Sequence, residues 1–197
     1  NLSNLGNLLR LLERWDEARV LLHEALELCD AHGQEAMRGT VLSTIGKWHA
    51  DRGEYQAAAD WLARALKALH AHGDLKAMGS TLLTHARIDS IAGHVTEARR
   101  KIAEAFEIAD RIRSSGLRTE CLVGAADLLM REGRTIAGAA LVQWAIEQPE
   151  MYRSDAAAAQ RQLDAFRVPD AALAEARAWL PASATLADAL RLAQANG

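Results

Sequence analysis

Proline and the simple aromatics are scarce in this chain, with three prolines, two tyrosines and two phenylalanines in 197 residues. Alanine and leucine dominate instead, a balance that favours helix over strand. Cysteine is nearly missing. Cys29 and Cys121 match no paired spacing, which argues against a disulfide framework and fits two free thiols in a reducing cytoplasm. No run approaches the ~18 apolar residues of a membrane span. Charge of one sign is lacking too: the formal net charge of −3 gives no broad pull on DNA, RNA or anionic membranes. Arg99, Arg100 and Lys101, followed by Arg111, Arg113 and Arg118, form a local basic stretch that reads as a solvated helix face. No signal peptide is visible. The chain opens on Asn1-Leu2-Ser3, which reads as the inside of a helix, so a fragment of a longer protein is expected.

What is present is a repeat. Ala25, Ala65, Ala105 and Ala145 stand 40 residues apart, and seven residues before each is Ala18, Ala58, Ala98 or Gly138. A third small set, Gly6, Gly46, Ala86 and Ala126, keeps the interval. So do the large residues Leu22, Leu62, Ile102 and Val142, and then Leu26, Leu66, Phe106 and Ile146. Antiparallel helices pack closely where a small side chain admits the facing ridge, and large residues one turn away fill the seam. A lone hairpin cannot bury both of its faces, so hairpins stack. Gly53, Gly93 and Gly133 fall in register where the first helix of a pair must end left-handed, with Glu13 in that place in the first repeat. Gly33, Gly73 and Gly116 mark what read as longer turns between hairpins.

The spacing predicts helices at about 2–12, 16–31, 35–52, 56–72, 75–92, 96–113, 117–132 and 136–147. Beyond Pro149 the pattern changes. Ser154 to Phe166 reads as one helix, Pro169-Asp170 opens another, and Ser183 caps a third.

Asn4-Leu5-Gly6-Asn7-Leu8-Leu9, Trp15-Asp16-Glu17-Ala18 and Glu24-Ala25-Leu26-Glu27-Leu28 resemble a tetratricopeptide repeat. Ile45-Gly46, Gly53-Glu54-Tyr55 and Ala65-Leu66 repeat the match, and two more degenerate copies stay in phase to about residue 148. The resemblance implies an all-α, right-handed superhelical solenoid of antiparallel helix pairs. Its four hairpins would span about 1–33, 34–73, 74–115 and 116–148, with residues 149–197 as capping helices. The long period is similar to that of bacterial regulators that join a nucleotide-binding switch to a helical-repeat sensor arm. The alanine-rich stretches at 171–178 and 186–190 resemble the carboxyl end of such proteins.

Catalytic signatures are missing. No GxxxxGK[ST], GxGxxG or GxSxG loop is present, so no nucleotide cofactor and no enzyme activity are expected. His23-Glu24 starts like a zinc-protease helix, but Glu27 stands where the second histidine belongs. Cys29, His32, His70 and His72 lie at equivalent helix ends, where the histidines read as groups that meet the dipole and unpaired carbonyls rather than as a metal site with Cys29. His49, His85 and Asp89 occupy places that hold leucine in the first repeat, Leu9 for His49 and Asp89 and Leu5 for His85. Lying four apart on one helix, His85 and Asp89 can touch, which makes them a candidate polar switch or a structural hydrogen bond.

The resemblance places the partner-binding concave face on the first helices of the hairpins. By phase, that stripe holds Ser3, Asn4 and Asn7, then Thr40, Ser43, Thr44 and Lys47. It continues with Ser80, Leu83, Thr84 and Arg87, then Glu120, Val123 and Asp127. The family's clamp for a terminal carboxylate is matched by Asn7 alone, since Ser3, Thr44, Ser80 and Thr84 stand where its other groups would be. The implied function is binding of a protein or peptide, in trans or from another domain of the parent chain, with no direct nucleic acid and no membrane. The resemblance implies the regulatory or sensor segment of a larger bacterial signalling protein or transcription regulator; the alternative is a self-associating scaffold.

Overall fold

A computed structural model describes residues 2–148, 153–180 and 188–189. Among the described residues, ten helices run in order up to Trp179: α1 Leu2–Leu11, α2 Trp15–Ala31, α3 Glu35–Asp51, α4 Tyr55–His72, α5 Leu75–Ile91, α6 Val95–Arg111, α7 Ser115–Arg131, α8 Thr135–Ile146, α9 Arg153–Ala165 and α10 Asp170–Trp179. Among the described residues there is no strand. None of these helices is long and apolar enough to cross a membrane. The first eight fall where the 40-residue pattern places them. Of the third helix expected after Ser183, only Asp188 and Ala189 are among the described residues, and both are helical.

The turns depart from the expected alternation of short and long. Positive φ occurs at Glu13, Gly33, Gly53, Gly73, Gly93, Arg113 and Gly133, one every twenty residues. At each, the chain closes the preceding helix in the same way. The amide of the next residue donates back five residues, from Arg14 to Leu9, Gln34 to Cys29, Glu54 to His49 and onward to Arg134 and Leu129, at 2.8–3.2 Å. This six-to-one bond satisfies carbonyls that the helix end leaves open. The turns between hairpins are therefore no longer than those within them, because both kinds are built from one cap. Gly116 is a correction to the sequence reading. It sits in the first turn of α7, and Arg113, at φ 52°, takes the left-handed place.

The chain divides into two compact units, Asn1–Ile88 and Asp89–Gly197. In the first, α1 packs on α2, α2 on α3, and α3 on α4. The small-residue positions do what the period requires. Ala18, Ala58 and Ala65 are fully buried, with Ala25 nearly so. A Cβ added to Gly6 would come within 2.8 Å of Leu22, and one on Gly46 within 2.7 Å of Leu62. Gly39 does the same against Leu69 at 2.9 Å, a close approach the sequence reading overlooked although a glycine, Gly79, recurs 40 residues on in the sequence. Leu9, Leu22, Leu26, Cys29, Val41, Leu42, Ile45 and Trp48 make one core cluster across α1, α2 and α3. Ala50, Ala58, Leu62 and Ile88 make another.

In the second unit α6 packs on α7 and α7 on α8. Ala98, Ile102, Ala105, Ala126, Val142 and Ala145 are buried at their repeat positions, whereas Phe106 and Ile146 stay half-buried. Gly138 faces the Ala126 carbonyl and Met130 so closely that no side chain fits. Both α9 and α10 pack on α8, which is why α8 has no polar face: Ala137, Ala139, Ala140, Leu141, Val142 and Trp144 are all buried.

Candidate binding face

The first helices of the hairpins carry the candidate residues. In the first unit, residues from α1, α3 and the amino-terminal part of α5 are tied together by side chains. The Asp51 carboxylate at the end of α3 pairs with Arg10 of α1 on one side. On the other it accepts from Arg87 Nη2 of α5 at 3.4 Å. Lys47 Nζ, one turn before Asp51, donates to Ser80 Oγ at 3.0 Å. Arg10 Nε also donates to Asn7 Oδ1 at 3.1 Å. Two cations, Arg10 and Arg87, thus share the Asp51 carboxylate, with Lys47 one turn away on α3. Asp51 was not singled out in the sequence because its equivalents in the other repeats are Leu11, Ile91 and Arg131, which carry no common signal.

The hydroxyl residues sit deeper than a solvated stripe would place them. Ser43 is buried, and its Oγ lies 2.7 Å from Thr81 Oγ1 between α3 and α5. Thr44 is buried and donates to the Thr40 carbonyl at 3.0 Å. Thr84 donates to the Ser80 carbonyl at 3.1 Å. A threonine that returns its proton to the carbonyl four residues back keeps only lone pairs for a ligand. The face therefore offers cations and hydroxyl acceptors. Asn4 and Arg87 are exposed, and Asn7 and Lys47 are half-buried.

In the second unit Asp127 is buried on α7, its two carboxylate oxygens held by Arg131 at 2.9 and 3.3 Å. Glu120 and Val123 are half-buried. Much of the basic stretch is spoken for. Arg99 pairs with Glu132, Arg100 with Glu97 and Glu104, and Arg118 with Asp110.

Two of the polar residues that replaced leucine, His49 and Asp89, have separate partners. His49 Nδ1 lies 2.6 Å from Glu54 Oε2, with Trp48 edge-on at 4.7 Å and Trp61 stacked at 6.3 Å. Hydrogen bonds from His49 and Arg52 hold the Glu54 carboxyl below its ordinary range. Asp89 is paired with Lys101 of α6, and both side chains are largely buried. His85 is half-buried on α5. Cys29 is buried while His32, His70 and His72 are exposed, so those four do not share one environment. Burial pushes both the Cys29 and the Cys121 thiols up.

Residues 1–70 match the family model described as Tetratricopeptide repeat. No curated protein matches the chain.

Proposed function

Residues 1–70 belong to the tetratricopeptide-repeat family, whose repeats mediate protein–protein interaction without catalysis, and on that premise we propose that this chain is a binding module for a protein segment rich in acidic residues. One observation carries the reading: Arg10 of α1 and Arg87 of α5 converge on Asp51 of α3, with Lys47 of α3 one turn before it and bonded to Ser80. An aspartate or glutamate from a partner pairs with these cations, and an exposed guanidinium such as that of Arg87 takes a carboxylate in two-point geometry. Charge placed this way sets partner choice and encounter rate more than it sets affinity.

The parent protein in this proposal is a bacterial signalling protein or transcription regulator, with the repeats as its cytoplasmic regulatory or sensor segment. The 40-residue period, longer than the family's usual repeat, supports that setting. The partner is then a protein in trans or another domain of the same parent chain, with neither nucleic acid nor membrane bound directly.

The test uses fluorescein-labelled octaglutamate and octalysine peptides against the 197-residue chain, read by fluorescence anisotropy. Octaglutamate should bind, octalysine should not, and Lys47→Glu with Arg87→Glu should weaken binding at least tenfold with helicity unchanged. Affinity should fall as salt rises, because exposed charges are screened beyond ~10 Å at 0.1 M. Binding that ignores the charge reversal would overturn the assignment of this face.

A further inference from the structure

Asp51 is an acid in a place where its own helix gains nothing from one. It is the last residue of α3, and the negative end of a helix dipole disfavours a carboxylate there. Hairpin packing does not ask for it either, since the equivalents Leu11, Ile91 and Arg131 are two apolar residues and a cation. What the acid gains is a pair of cations from the flanking first helices, Arg10 on its Oδ2 and Arg87 on its Oδ1.

Those two arginines are held very differently. The Arg10 side chain is 12 % exposed and tied at two atoms, Nη1 to Asp51 and Nε to Asn7 Oδ1 at 3.1 Å. The Arg87 side chain is 42 % exposed. Its tie to Asp51, at 3.4 Å, is longer than the usual range of a hydrogen bond. A guanidinium carries five N–H donors in a fixed fork, and only one of those on Arg87 meets Asp51. When Arg87 leaves, Asp51 stays paired with Arg10, so the departure strands no charge.

We propose that Asp51 is the internal occupant of the cationic face: it holds Arg87 in the free protein, and an acidic partner segment binds by taking Arg87 from it. This rests on the acidic-segment reading above and divides the labour within it. Arg87 is the arm that changes partner, Arg10 anchors Asp51, and Asp51 lowers affinity by competing for the arm. Exchanging one carboxylate for another on the same guanidinium gains little by itself. Asp51 thereby sets a threshold of acidic charge that a partner must bring, and a competing group of this kind raises specificity at the expense of affinity.

The probe is the fluorescein-labelled octaglutamate peptide, titrated with the full 197-residue protein and followed by anisotropy. Asp51→Asn keeps the shape of the side chain, removes its charge and should tighten binding about threefold, the size of one exposed charge pair. The same substitution should leave affinity unchanged in an Arg87→Ala background, where no arm is left to release. Asp51→Glu retains the competing charge and should bind as the parent does. Circular dichroism of each variant should match that of the parent. Weaker binding by Asp51→Asn marks a structural anchor and overturns the proposal, as does unchanged binding. An equal gain with and without Arg87 overturns it too, since Asp51 then acts as a repelling charge alone. In each of these cases the acidic-segment reading stands if the parent binds octaglutamate and Lys47→Glu with Arg87→Glu weakens that binding. Failure of both the parent and Asp51→Asn to bind octaglutamate overturns both.

Discussion

The Trp48 indole donates its Nε1 hydrogen to the main-chain carbonyl of Trp15, across the seam between α3 and the start of α2. One side chain thereby fills the core and fixes the register of two neighbouring hairpins. Trp48→Phe keeps an aromatic ring and loses that bond, which should cost ~1 kcal/mol. Trp48→Ala also opens a cavity and should cost ~3–5 kcal/mol. Urea melts of the two variants measure the difference, and equal midpoints would remove the hydrogen bond and the packing from this account.

Close helix approach makes a sharper demand at Gly46, where an added methyl meets Leu62 at 2.7 Å. Gly46→Ala should destabilise by ~1–3 kcal/mol despite alanine's higher helix propensity. Ala65→Arg should be worse, because Ala65 is fully buried and the change brings in a charge as well as bulk. Thermal melts followed by circular dichroism test both.

Two of the seven left-handed caps spaced at twenty residues lack glycine. Glu13 and Arg113 sit at φ 59° and 52°. Glu13→Gly and Arg113→Gly should each stabilise by ~0.5–1 kcal/mol, since relief of the left-handed strain outweighs the added freedom of the unfolded chain. A raised melting temperature is the expected readout. The reverse change, Gly53→Ala at φ 76°, should lower it.

The pair of Asp89 and Lys101 is largely out of water. Lys101→Met strands a buried carboxylate and should cost ~3–5 kcal/mol, whereas Lys101→Met with Asp89→Leu should recover most of the loss. A double-mutant cycle in urea reads the coupling. If the two substitutions add independently, the ion pair is not a unit.

The thiols give a pH signature. Cys29 and Cys121 have folded-state pKa values raised by burial, so the native state holds protons that the unfolded chain gives up above about pH 8.5. Stability should therefore fall as pH rises through that range, and less so in Cys29→Ala with Cys121→Ala. At neutral pH neither thiol should react with a disulfide reagent until the chain is unfolded.

Most of the fold was legible because the small residues recur in strict phase. Ala18, Ala58 and Ala98 report the same crossing three times, and a crossing tolerates few substitutes. The caps were only half legible. Gly116 drew the eye as a turn, while the true left-handed residue was Arg113, whose side chain carries no sign of its backbone. The candidate face was read by position and misjudged in depth. Ser43 and Thr44 proved buried, because a hydroxyl that bonds a facing hydroxyl or its own helix can sit inside a seam at little cost. Asp51 went unnoticed since its contacts, to residues 41 positions earlier and 36 later, exist only once the helices are folded together.

The twenty-residue spacing of the caps also constrains how such a chain can change length. Removing twenty residues keeps every later turn in step, yet each helix downstream exchanges roles with its neighbour, so polar-faced helices arrive where alanine-lined ones are needed. Removing forty preserves both rhythm and role. The backbone therefore counts in single helices while the side chains count in pairs, and only whole pairs can be gained or lost without rewriting the sequence around them.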